Sequence, residues 1–208
     1  MTTMTTSSPD HTASRSRALS AWLRWTFGFL AFPLAGLAGT AVAGRVDSPW
    51  AALLGGLGAG AVLGLGQSLL SSGRLPMARW TAVTSTGMGA GLLLGAATVD
   101  YGTSIGDLAV MGALSGAVLG VAQAVTLPHR TRSRWVWAVA MPALWAIGWS
   151  VSTLVIGDAV HEQFTLYGAS GAITVSALLG VLLHLLLPVS TTGRTPTPRA
   201  TPTTGDPS

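Results

Sequence analysis

Gln67 and Gln123 are the polar side chains that this apolar chain places where each must find a partner. Each closes a run of the form Gly-x-x-x-Gly-x-x-Gln, from Gly60 to Gln67 and from Gly116 to Gln123, and each lies seven residues before an arginine, Arg74 or Arg130. At 1.5 Å per helical residue that is about 10 Å inside a charged boundary. An amide at such depth either bonds a neighbouring helix, worth about 0.6 kcal/mol within a membrane, or coordinates a solute or a lipid headgroup. With Thr174 and Ser176 on a later run, the glutamines outline a polar path for a small neutral or weakly charged solute. A second group, Asp47, Asp100, Asp107, Asp158, His161 and Glu162, lies between apolar runs and has cation-site chemistry. Helix starts explain it more simply: Ser48 precedes Pro49, Ser104 stands three residues before Asp107, and Asp158 precedes the last run. His161-Glu162 lacks the second histidine of a zinc helix, since Thr165 stands in that place.

The elements that must position these residues follow from composition. Of 208 residues, 49% are hydrophobic and 9% charged, with a mean hydropathy of +0.55, against about 25% charged in a soluble domain. That assigns the chain to the membrane class. Cysteine is absent, which excludes disulfides, thiol nucleophiles and Cys-based metal sites. Six apolar runs of about the length that crosses the hydrocarbon core can be marked: Trp25 to Gly44, Trp50 to Ser72, Trp80 to Val99, Leu108 to Leu127, Trp135 to Gly157 and Phe164 to Leu187. All eleven basic residues are arginines. Arg15, Arg17, Arg24, Arg74, Arg79, Arg130, Arg132, Arg134, Arg194 and Arg199 fall on one side of these runs, and Arg45 alone on the other. The positive-inside rule then places both termini in the cytoplasm. Arg130, Arg132 and Arg134 form the most basic loop, where contact with anionic lipid is expected. The arginines read as topology, and no nucleic acid partner is expected.

The runs repeat. Gly60-Ala-Val-Leu-Gly-Leu-Gly-Gln67 matches Gly116-Ala-Val-Leu-Gly-Val-Ala-Gln123, and a weaker third copy is Gly171-Ala-Ile-Thr-Val-Ser-Ala-Leu178, so that Leu178 takes the place of the glutamines. Trp25, Trp80 and Trp135 recur at the starts of the preceding runs, where an inner aromatic belt is expected, with Trp50 in the outer belt and His184 at the inner interface. The expected fold is all-α, a polytopic bundle of six transmembrane helices in three tandem hairpins, residues 18–72, 79–127 and 134–188, around a pseudo-three-fold axis. Residues 1–17 and 189–208 read as disordered tails. Ala41-Val42-Ala43 ends an arginine-preceded apolar run as a signal peptide does, but the run is longer than a signal core and belongs to the repeat. Stripes at Gly56, Gly60 and Gly64, at Gly87, Gly91 and Gly95, and at Gly112, Gly116 and Gly120 predict close helix packing. Pro33 and Pro142 predict kinks.

Around Gln67 and Gln123 the chain resembles a loose group of uncharacterised bacterial multi-pass membrane proteins with repeated G-x-x-x-G-x-x-Q hairpins followed by arginine. The likeness covers mainly Trp50 to Trp135. Members often show Gln-Trp at the motif, whereas here Ser68 and Ala124 follow the glutamines. The resemblance supports a repeat in a bacterial inner membrane and carries over no mechanism. Separately, Tyr167-Gly-Ala-Ser-Gly-Ala172 resembles the G-x-S-G serine motif of rhomboid intramembrane proteases, which also have six core helices. That family keeps its serine on the fourth helix and its histidine on the sixth, but Ser170 is already on the sixth. His184 lies fourteen residues along the same helix, about 21 Å away by helical rise and beyond hydrogen-bond reach. Only His161 of the outer loop could pair with Ser170, which otherwise aligns with Ser115 and Ala59 as a small packing residue.

The chain shows no phosphate loop, metal cluster, catalytic triad or buried acid pair, so no enzyme activity and no cofactor are expected. No run carries a mid-span ionisable group, against a proton-coupled carrier. Two functions remain as expectations. One is a tightly packed membrane-embedded interaction or structural protein, with membrane lipids and a homo-oligomeric or membrane protein partner. The other is a passive channel or facilitator using Gln67, Gln123, Thr174 and Ser176. They differ in whether those four side chains converge on one cavity.

Overall fold

A computed structural model of the chain describes residues 11–129, 131, 133–157 and 169–187, and these are helical with short connections. In chain order they form α1 (His11–Thr26), a 3-10 turn (Phe27–Leu30), α2 (Ala31–Ala43), α3 (Pro49–Leu70), α4 (Met77–Thr98), α5 (Ile105–Ala124), α6 (Arg134–Ile156) and α7 (Ala169–Leu186). Four stretches, Ala18–Ala43, Pro49–Leu70, Ile105–Ala124 and Arg134–Ile156, are long and apolar enough to cross a membrane. Helix α4 is as long as α3, but Arg79, Thr81, Thr84, Ser85 and Thr86 dilute its apolar character. Helix α1 begins at His11, inside the stretch that composition assigns to a tail.

Local chemistry sets the helix ends. Ser48 caps α3 by accepting from the Ala51 amide at 3.3 Å with Pro49 in the first turn. At α5 the Ser104 hydroxyl accepts from the Asp107 amide while the Asp107 carboxylate accepts from the Ser104 amide, the reciprocal cap expected from the spacing. Asp158, His161 and Glu162 lie outside the described residues. Pro33 has no N–H to offer the Phe29 carbonyl and its ring crowds that group. The chain accordingly tightens to 3-10 at Phe27–Leu30 before resuming as α2. Pro142 leaves α6 continuous.

Sequence neighbours are spatial neighbours. Helix α2 packs on α3, α3 on α4, α4 on α5, α5 on α6 and α6 on α7, and α7 closes the ring against α1 and the 3-10 turn. Glycines set the spacing: a Cβ on Gly60 would lie 2.6 Å from the Thr84 carbonyl oxygen and 2.7 Å from Ser85 Cα, and one on Gly116 would lie 2.6 Å from the Met141 carbonyl oxygen. The exterior is apolar, with Leu69, Val139, Leu154, Val155 and Leu185 each at least 64% exposed. Gln67, Thr84, Ser115, Gln123, Ser152 and Ser176 are buried instead. A surface of that kind calls for an apolar surround.

Candidate functional site: a buried amide and indole network

The two glutamines meet. Gln123 Nε2 lies 3.4 Å from Gln67 Oε1 and donates to Thr84 Oγ1 at 2.9 Å. Trp80 Nε1 donates to Gln67 Oε1 at 2.9 Å and Trp137 Nε1 donates to Gln123 Oε1 at 3.0 Å. These five side chains come from α3, α4, α5 and α6 and are all buried. The two indoles also touch edge to face, with centroids 5.9 Å apart and planes at 70°. The hairpin geometry explains the pairings, because each helix that ends near a glutamine turns back at once and returns an indole to the same depth. Trp80 follows Gln67 by 13 residues and Trp137 follows Gln123 by 14.

Several readings from the sequence change here. Trp80 and Trp25 are core residues at 0% and 3% exposure, and only Trp135 of the expected belt trio is exposed. The indole equivalent to Trp80 on α6 is Trp137, two residues further on, which puts it on the inward face. The run expected as a third copy is also offset in its burial. Buried pairs fall at Ala59/Gly60, Leu63/Gly64 and Gln67/Ser68 of α3 and at Ser115/Gly116, Leu119/Gly120 and Gln123/Ala124 of α5. On α7 they fall at Gly171/Ala172, Val175/Ser176 and Leu179/Gly180. By burial, Leu179 at 1% exposure occupies the glutamine position, whereas Leu178 is 40% exposed. At this interface Trp22 Nε1 donates to the Ala177 carbonyl at 3.0 Å.

Thr174 Oγ1 donates to the Ser170 carbonyl of its own helix at 2.9 Å, and Ser176 is buried on α7. Neither has a hydrogen bond to Gln67 or Gln123. Ser170 and His184 share α7, the His184 Nδ1 is buried without a hydrogen-bond partner among the described residues, and His161 lies outside them. His184 is thus partly withdrawn from the interface where headgroup contact was expected. Arg130 and Arg132 lie outside the described residues, and Arg134 opens α6.

A cavity of about 90 Å³ lies elsewhere, among Phe32, Ala35 and Gly36 of α2, Ala59 and Leu63 of α3, Met88 and Leu92 of α4, Trp145, Gly148 and Ser152 of α6, and Ala172 and Val175 of α7. None of the four residues of the expected polar path lines it. Trp145, on its wall, has an Nε1 without an acceptor among the described residues. No protein-family model, curated protein or solved structure matches the chain. Its own geometry is therefore the basis for a functional reading.

Proposed function

We propose that the chain is a tightly packed membrane-embedded interaction or structural protein of a bacterial inner membrane. In this reading it crosses the bilayer six times as three tandem hairpins about a pseudo-three-fold axis, with both termini in the cytoplasm. Helices α4 and α7 supply the two further spans. Most hydroxyls of α4 suit a bilayer because they are bonded internally: Ser85 Oγ donates to the Leu57 carbonyl at 2.8 Å, Thr86 and Thr98 donate to carbonyls of their own helix, and Thr84 accepts from Gln123, whereas Thr81 Oγ1 is buried without a partner among the described residues. The buried pairs that recur on α3, α5 and α7 support the three copies.

The observation that favours packing over conduction is that Gln67 and Gln123 bond each other and two indoles, away from the cavity. Topology can be tested cleanly because the chain has no cysteine. Single cysteines at Gly73, Gly102 and Arg45 should label from the cytoplasmic, outer and outer sides respectively. Labelling of Gly73 and Gly102 positions from one side would remove α4 as a span. For function, native mass spectrometry from nanodiscs should give one defined oligomer or a membrane protein partner. In proteoliposomes, solute flux lost in the Gln67→Leu, Gln123→Leu double variant would overturn the packing reading.

The cavity favours a second reading, a passive facilitator for a small solute. There Ala172→Leu, which fills part of the cavity wall, should abolish flux, while Gln67→Leu should leave the pathway open.

A further inference from the structure

The turn between α3 and α4 has a feature that topology does not require. Arginines near the ends of membrane helices ordinarily bury the aliphatic stem and extend the charged head outward. Arg74 is only 7% exposed as a whole residue. Its Nε donates to the Ser71 carbonyl at 2.8 Å, so the side chain folds back over its own turn. That turn is held in place: Ser71 Oγ donates to the Ser68 carbonyl at 2.7 Å and accepts from the Leu75 amide at 3.2 Å. A second guanidinium joins it, with Arg24 Nη1 donating to Ser72 Oγ at 3.3 Å.

Among the described residues no carboxylate balances these charges. The acids among the described residues are Asp47, Asp100 and Asp107. Asp47 precedes α3 and Asp100 follows α4, each a 22-residue helix away from the turn, or about 33 Å by helical rise. Among the described residues the Nη atoms of Arg74 have neither a hydrogen bond nor an ion pair. Desolvation pushes the guanidinium below the ordinary arginine pKa with no opposing carboxylate. The Nη atoms are not among the buried polar atoms that lack a partner, so the free edge opens to the outside while the rest of the residue is desolvated, and an anion that reaches this edge would offset the cost of that desolvation. The free edge of a guanidinium offers two parallel donors, which match two oxygens of a phosphate.

We propose that this turn is a seat for a phosphate-class oxyanion, held by the free edge of Arg74 with Arg24 beside it. The shared chemistry is a phosphate oxygen pair, supplied either by an anionic phospholipid headgroup or by free phosphate. The site is separate from the glutamine network and does not depend on the packing reading.

The test uses the full chain in neutral detergent, titrated in turn with phosphatidylglycerol and with inorganic phosphate. Native mass spectrometry counts the retained ligand, and the thermal midpoint reports its effect on folding. The wild type should retain phosphatidylglycerol or phosphate and melt higher in its presence. Arg74→Gln should lower the affinity by about tenfold, the size expected on losing charge-assisted hydrogen bonds, and Arg24→Gln should lower it less. Arg79→Gln, an exposed arginine on the same end, should leave it unchanged. A response to the lipid alone identifies a headgroup seat, and a response to phosphate alone or to both identifies a free-anion seat. If Arg74→Gln does not fold, Arg24→Gln decides by the same readouts. Binding of neither probe by the wild type, or wild-type binding of both probes by the arginine variants, would overturn the proposal.

Discussion

The interfaces within α3/α4 and α5/α6 and the one where α7 meets α1 solve the same problem with different chemistry. In the first two, an indole N–H is received by a glutamine, Gln67 for Trp80 and Gln123 for Trp137, and the amides then reach each other and Thr84. At the closing interface Leu179 stands in the glutamine position, and the indole of Trp22 reaches the Ala177 backbone carbonyl. Four helices are thereby joined through one network, whereas α7 meets α1 through the indole bond of Trp22 and through Trp22 and Trp25 lying against Gly180. The ring should therefore open first between α1 and α7, because local opening follows the least coupled contacts.

The largest effect should come from steric insertion. Gly60→Val drives a side chain into the backbone of α4 at Thr84 and Ser85, and overpacking against atoms that cannot turn aside should cost about 3 kcal/mol. Gly180→Val meets the edges of Trp25 and Trp22, 2.8 and 3.0 Å from the added Cβ. Side chains can yield there, so about 1 kcal/mol is expected. Unfolding midpoints in mixed micelles measure both, and equal losses would erase the distinction between the interfaces.

Next in size is Gln123→Leu, which leaves Trp137 Nε1 without its acceptor and Thr84 without its donor. The same assay should show a loss of about 2 kcal/mol, against about 1 kcal/mol for Gln67→Leu. Converting the closing interface toward the other two by Leu179→Gln buries an amide where Trp22 is already committed. It should destabilise by about 1 kcal/mol, and a gain would show that the α7 interface accepts the amide chemistry after all. The smallest change is Trp22→Phe, worth about 0.6 kcal/mol. Faster amide exchange in α7, with α3 to α6 unaffected, is the expected pattern.

Much of the architecture was legible because it follows from local rules. The caps at Ser48 and Ser104, the close approaches at Gly60 and Gly116, and the break before Pro33 are all read from a few adjacent residues. The register of α7 against the pattern of α3 and α5 was not. Matching letters aligns Gly171 with Gly60, while burial aligns Ala172 with it. A slip of one residue turns a helix face by about 100°, enough to exchange Leu178 for Leu179, and the two-residue step from Trp135 to Trp137 turns it by about 200°. Thr84 was also hidden, since a lone threonine among several on α4 gives no sign of which one faces Gln123. A usable signal did exist in the spacing of 13 and 14 residues from each glutamine to its indole. Folding each pair back across its short turn would have identified Trp137.

The pairing of Trp80 with Trp137 gives this molecule a built-in optical label. Two indoles with centroids 5.9 Å apart and planes at 70°, both fully buried, are close enough for their strong electronic transitions to mix and produce a paired band in far-ultraviolet circular dichroism. Trp50 and Trp135, at 72% and 56% exposure, instead emit from the periphery and respond to brominated lipid. Light absorbed by one chain without any attached dye thus reports separately on the meeting of Trp80 with Trp137 and on the surroundings of the bundle.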